Sequence, residues 1–202
     1  MQIASLFPIP VGSFQLGRPL TTAELACVNG LPTRANEGNK TSRNSRVLDE
    51  PDLNAVKNFI EASLQSFLGH VYNPSSPCGI RITQSWCNYA ERGGFHLRHS
   101  HANSFLSGVF YFMADPERDS IRFFRHDHQA YKFPPKQWNH WIAESCWFAV
   151  SPGDLLIFPS SLAHRVDPIP DERMRLSLAF NTFPTGELGD EGDLTLLRLG
   201  EP

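Results

Sequence analysis

The sequence predicts a mainly-β fold of two sheets, buttressed by helices at its N-terminal end. Three observations carry this expectation. Helical periodicity with start and stop signals occurs in only two segments, both in the first third of the chain. From about residue 80 the pattern changes to short β-type runs punctuated by Gly, Pro and Asp. Helices are not interleaved among those runs, as a parallel sheet would require, so a sandwich or barrel is favoured.

The first helix is read in "TTAELACVNG", where Thr21 and Glu24 have capping-box spacing and Gly30 offers a left-handed stop. The second runs through "PDLNAVKNFIEASLQSFLG". Pro51 suits its first turn, Leu53, Val56, Ile60, Leu64, Phe67 and Leu68 make one apolar face, and Gly69 is the expected terminator. Between the helices "TRANEGNKTSRNSR" is polar and unpatterned and reads as a surface loop. Strand candidates follow as "RITQSWCNYA", "FLSGVFYFM", "SIRFFR", "WFAV", "DLLIFP", "AHRV" and "RLSLAFNTF". Beyond Phe183 the tail "PTGELGDEGDLTLLRLGEP" is acidic and Gly-rich and is expected along the surface. With 202 residues, 41% of them apolar, the chain reads as one domain: helical support over 1–79, a β-core over 80–183 and a tail over 184–202.

A formal charge of −3, without long runs of either sign, gives no electrostatic footprint for nucleic acid or an anionic membrane surface. Small, mostly neutral partners are expected. No stretch approaches the ~20 apolar residues that cross a bilayer, and "MQIASLFPIP" lacks the pattern of a signal peptide, so a cytosolic chain is expected. Cys27, Cys78, Cys87 and Cys146 are widely spaced, which suggests reduced thiols rather than a disulfide framework or a thiolate zinc site.

The chemistry concentrates in "FHLRHSHANS", which holds His96, His99 and His101. On a strand, alternate side chains share a face, so His99 and His101 point into one space. Imidazole suits iron, copper, nickel or zinc, but two ligands cannot enclose a metal. The natural third is His164, delivered by the turns and apolar strand of "PGDLLIFPSSLAHRV". His96 falls out of phase with His99 and is expected behind the ligands or exposed. His70 and His140 read as surface or structural residues, and "HDH" at 126–128 as a polar turn with ligand spacing.

In "RMRLSLAFN", Met174, Leu176, Leu178 and Phe180 face one way, while Arg175, Ser177, Ala179 and Asn181 face the other. A guanidinium beside a hydroxyl on an inward face is a receptor for a carboxylate. Arg175 follows His164 by 175 − 164 = 11 positions, enough for a strand, a turn and a strand to bring both to one cavity. The competing role for Arg175 is an edge pair with Asp167, Asp171 or Glu172.

Together, His99-x-His101, "GDLLIFPSSLAH" ending in His164, and Arg175-x-Ser177 resemble the 2-oxoglutarate/Fe(II)-dependent oxygenases of bacteria and phages. The likeness covers roughly residues 80–183. It implies a double-stranded β-helix, or jelly roll, with Fe(II) at His99, His101 and His164, and O2 and 2-oxoglutarate as co-reactants. Arg175 and Ser177 would hold the far carboxylate of 2-oxoglutarate, and Asn88 and Tyr111 would meet the same molecule. The implied reaction is C–H oxidation, as in a hydroxylase, of a small-molecule or side-chain substrate. In the wider superfamily a carboxylate stands where this chain has His101. That leaves either a three-histidine centre or a site in which solvent or an outlying carboxylate replaces His101.

Two other readings compete. Cupins share the His-x-His element and the "G-D-x-x-x-x-P-x-x-x-x-H" stretch, matched by Gly153, Asp154, Pro159 and His164. Their glutamate beyond His101 is missing, and Arg175 and Ser177 would have no role. A non-enzymatic β-sandwich with structural histidines is the other. Trp86, Trp138, Trp141 and Trp147 read as core or lid aromatics, and "KQWNHWIAES" at 136–145 as a substrate-selecting excursion.

Overall fold

The computed structural model describes residues 1–126 and 133–200. The elements run β1 (Gly12–Gln15), α1 (Thr22–Gly30), β2 (Thr33–Asn36), β3 (Asn39–Ser42), α2 (Asn54–Val71), β4 (Cys78–Ala90), β5 (His96–His99), β6 (Leu106–Met113) and β7 (Ser120–Phe124). They continue with β8 (Ser145–Ala149), β9 (Asp154–Pro159), β10 (His164–Val166), β11 (Arg175–Leu188) and β12 (Leu197–Arg198). The major sheet has the order β1-β9-β6-β11-β4-β3-β2, with β12 added to β11, and the minor sheet is β5-β10-β7-β8. The two sheets and flanking helices give the mainly-β jelly roll expected.

Strand alternation divides the core in two. On β6, Phe110 and Phe112 face the helices, where they join Leu53, Val56, Ile60, Leu64 and Phe67 together with Leu176, Leu178 and Phe180 of β11. Val109 and Tyr111 face the other way and meet Ile121, Phe123, Leu156 and Phe158 between the sheets. The helices therefore cover the back of the major sheet and leave its front for the minor sheet and the site. The Thr21–Glu24 capping box is present, and the apolar face of α2 is buried as its spacing predicts.

Three expectations need correction, and a fourth is narrowed. Residues 33–42 form the β2–β3 hairpin rather than a loop, turning at Gly38 with φ 76° and extending the major sheet through β3–β4 pairing. A turn conformation that favours glycine lies there, and the strands flanking it carry no apolar alternation to betray them. Strand β11 continues to Leu188 and pairs with β12, so the start of the tail is sheet. Neither Gly30 nor Gly69 acts as a left-handed stop: α1 ends with extended backbone at Leu31, and α2 runs through Gly69 to Val71. Trp138, Trp141 and Trp147 are exposed, which removes the core alternative of the core-or-lid reading for these three; Trp147, on the edge strand β8, lies opposite Arg122.

The four cysteines are free, Cys87 buried and Cys146 exposed. No helix among the described residues is long and apolar enough to cross a membrane.

Candidate metal centre and cosubstrate pocket

His164 opens β10 and lies opposite His99, the last residue of β5. His101 lies two residues beyond the end of β5 rather than on it, and its position is fixed when its backbone N–H donates to the Ser160 carbonyl at 2.9 Å. The three rings nevertheless converge: one ligand atom from each of His99, His101 and His164 lies within 4.8 Å of the others. His101 Nε2 and His164 Nε2 are 3.4 Å apart. Nitrogens at that spacing can share one cation at the ~2.1 Å typical of imidazole ligation.

The other ring nitrogens are already used. His99 Nδ1 donates to the Leu97 carbonyl at 2.7 Å, and His164 Nδ1 donates to the Leu162 carbonyl at 3.0 Å. Each bond holds the hydrogen on Nδ1, leaving the Nε2 lone pair for a metal. Trp86 stacks on His101, with centroids 6.0 Å apart and planes at 26°. Burial, followed by proximity to His99, His101 and His96, outweighs the Leu162 hydrogen bond and pushes His164 down to about 3. Burial and then His99 push His101 down to about 4. These rings stay neutral, and so able to ligate, well below ordinary histidine titration.

The histidines line one cavity of about 460 Å³ with Arg175, Ser177, Asn88 and Tyr111. Ser177 of β11 lies opposite Asn88 on β4 and Tyr111 on β6, so the three form a row across adjacent strands. Arg175 is 4% exposed. It pairs with none of Asp167, Asp171 or Glu172. Its Nη1 donates instead to Asp119 Oδ1 at 2.9 Å, while Nη2 is buried without a partner among the described residues. Asp119 is fully enclosed and also receives Arg173, so two guanidiniums share one carboxylate, while Arg173 pairs with Asp171 as well. Burial would raise the Asp119 carboxyl, but Arg173 and Arg175 outweigh it and hold it below the usual carboxylate range.

A buried guanidinium N–H without a partner among the described residues, facing a cavity, fits a carboxylate. Three lone pairs converging nearby fit a divalent metal. Asp119 escaped sequence reasoning because "ADPERDS" reads as an ordinary polar turn.

His96 requires a correction. It lines the same cavity instead of lying behind the ligands or exposed. Opposite β5, His164 pairs with His99 but Val166 pairs with His96, so three steps on one strand match two on the other. That bulge returns His96 to the face of His99, a geometry that alternation alone cannot reveal. His70 and His140 are exposed, as expected. His126 is exposed, and the rest of the 126–128 element lies outside the described residues. No described residue of 136–145 lines the cavity.

Residues 84–181 match the family model described as "Putative 2OG-Fe(II) oxygenase". Over these residues the chain is similar to the 2OG-Fe(II) oxygenase family. Fe(II) and 2-oxoglutarate are the metal and cosubstrate of that family. HygX from Streptomyces hygroscopicus, solved with nickel, 2-oxoglutarate and hygromycin B bound, is similar at 13% identity and TM-score 0.59, over 86% of this chain and 82% of that one. The carbocyclase SnoK from nogalamycin biosynthesis is similar at 14% identity and TM-score 0.59, over 95% and 88% of the two chains. A prolyl-4-hydroxylase of Pseudomonas putida is similar at 15% identity and TM-score 0.54, over 87% and 94%. At these identities the likeness is one of fold. No functionally curated protein matches the chain by sequence.

The depressed histidines predict a pH dependence for the metal-free protein. The unfolded rings take up protons near pH 6.5 while folded His101 and His164 do so only near 4 and 3. Between those limits the unfolded chain binds more protons, so stability rises with pH. This contribution is complete above about pH 6.5 and is lost as pH falls through about 4. Thermal midpoints measured from pH 8 to pH 4 should fall across that window, with a shallower fall for His101→Asn; a flat wild-type profile contradicts the burial argument.

Proposed function

We propose that the chain couples oxidative decarboxylation of 2-oxoglutarate to C–H oxidation, as a hydroxylase, of a small-molecule substrate. The reading rests above all on Arg175 Nη2, a buried donor without a partner among the described residues, in the cavity that the three histidines line. His99, His101 and His164 are the proposed metal ligands. A bound ferrous ion supplies activation of dioxygen, with 2-oxoglutarate consumed to succinate and carbon dioxide.

The protein's part is placement. The Nδ1 bonds to Leu97 and Leu162 orient two ligand rings before metal arrives. Arg175, anchored on Asp119, seats the distal carboxylate of 2-oxoglutarate, and Ser177 adds a hydroxyl. Asn88 and Tyr111 flank Ser177 on either side and bound the space for the chain of the molecule. Val109, Ile121 and Phe158 line the same cavity with apolar surface, which limits water around the reacting groups. The small-molecule assignment is supported by the cavity volume and by the hygromycin B bound in HygX.

The experiment is anaerobic loading with Fe(II), then addition of 2-oxoglutarate and air with succinate measured. Succinate above the metal-free control is expected even without the substrate. Its absence, with 2-oxoglutarate recovered intact, overturns the reading.

Position 101 sets metal preference. A neutral imidazole leaves the centre one negative charge poorer than a carboxylate, and imidazole discriminates little among iron, nickel and zinc. His101→Asp should therefore bind Fe(II) more tightly and improve its competition against Zn(II). A titration in which wild type holds Fe(II) more tightly than His101→Asp contradicts this.

A further inference from the structure

His96 is a cavity residue for which the proposed reaction has no use, and its hydrogen-bond partners define its protonation. Asn39, at the start of β3, accepts at Oδ1 from Asn36 Nδ2 at 3.2 Å. Its Nδ2 donates to the Phe95 carbonyl at 3.1 Å and lies 2.9 Å from His96 Nε2. An amide nitrogen can only donate, so His96 Nε2 must accept and the ring hydrogen must sit on Nδ1. That Nδ1 is buried and has no partner among the described residues.

Two orphaned N–H donors thus line one cavity from opposite sheets: Arg175 Nη2 on β11 and His96 Nδ1 on β5. Neither can satisfy the other, because both donate. An acceptor between them relieves both, and an anionic one suits the charge of the guanidinium. Such an acceptor needs more than one lone pair within reach of both strands. A carboxylate has them.

We propose that His96, held as the Nδ1–H tautomer by Asn39, is a second hydrogen-bond donor to the carboxylate seated at Arg175. The inference rests on the proposed seating of 2-oxoglutarate and adds a role for the β2–β3 hairpin. Asn36 and Asn39 orient the imidazole, so the hairpin, whose Asn36 and Glu37 also line the cavity, acts on the bound carboxylate through that ring. The imidazole donates only when Asn39 presents its amide nitrogen, which links the hairpin's fold to the affinity of the pocket.

Two measurements test it. In metal-free protein with 15N-labelled histidine, long-range 15N–1H correlation should show His96 as the Nδ1–H tautomer, with that preference lost in Asn39→Leu. A His96 hydrogen on Nε2 overturns the proposal outright. In calorimetric titration of 2-oxoglutarate into Zn(II)-loaded protein, where no turnover occurs, His96→Leu should weaken binding roughly 10-fold or more, as for loss of a hydrogen bond to a charged group. His96→Asn places an amide nitrogen near the position of ring Nδ1 and should stay within about 3-fold of wild type, well inside the energy of one such bond. Equal weakening by both variants overturns the proposal, since it marks a role of shape alone. If Arg175→Met weakens binding and His96→Leu does not, the His96 inference fails by itself. If neither variant changes binding, the seating of 2-oxoglutarate at Arg175 fails with it.

Discussion

Arg175→Met weakens 2-oxoglutarate binding by roughly 10²- to 10³-fold, the scale of removing one partner of a buried, hydrogen-bonded charge pair. The reason is local. Methionine fills much of the volume of the arginine stem, but it leaves the carboxylate in an enclosed cavity without its guanidinium. Ser177, Asn88 and Tyr111 offer neutral groups only, and Arg98, which also lines the cavity, lies over the Phe124 ring. Arg175→Lys keeps the charge but not the planar fork that bonds Asp119 and the ligand together, so about a 10-fold loss is expected. Binding of 2-oxoglutarate to the Zn(II)-loaded variants measures both. Wild-type affinity in Arg175→Met would remove the pocket from the proposed reaction.

Asp119→Ala destabilises the fold by about 3–5 kcal/mol, because it strands Arg175 in the interior without its counter-charge. Arg173 suffers less, since its Nε also lies 2.7 Å from Asp171. The loss should therefore shrink by at least ~1 kcal/mol in an Arg175→Met background, where the stranded charge is gone. Denaturant midpoints of the four proteins in that cycle give the coupling. Additive losses would mean that Asp119 stabilises the 115–119 turn, where its Oδ2 also accepts from the Asp115 N–H at 2.9 Å, rather than the guanidinium. Acid should reproduce part of the effect. With its folded value held below the ordinary carboxylate range, Asp119 contributes stability above about pH 4 that is lost as pH falls through that lower value.

The elements most legible in the sequence were those with strong local periodicity. The α2 face from Leu53 to Leu68 and the alternation of Arg175 to Asn181 each assign a buried and a lining side without reference to the rest of the chain. The β2–β3 hairpin was illegible because Thr33–Ser42 pairs a polar face with the sheet edge and carries no alternation. Its existence depends on pairing with β4, a partner some fifty residues away.

The candidate site divides in the same way. Residue types and order along the chain determined that histidines at 99, 101 and 164 and an arginine at 175 were the groups with ligand and receptor chemistry, since those properties belong to side chains and short spacings. Tertiary structure alone decided which groups complete them. A one-residue bulge turns His96 into the cavity, and a polar turn carries Asp119 beneath Arg175. Both depend on register between strands distant in sequence, and a one-residue change of register reverses the face of every side chain that follows.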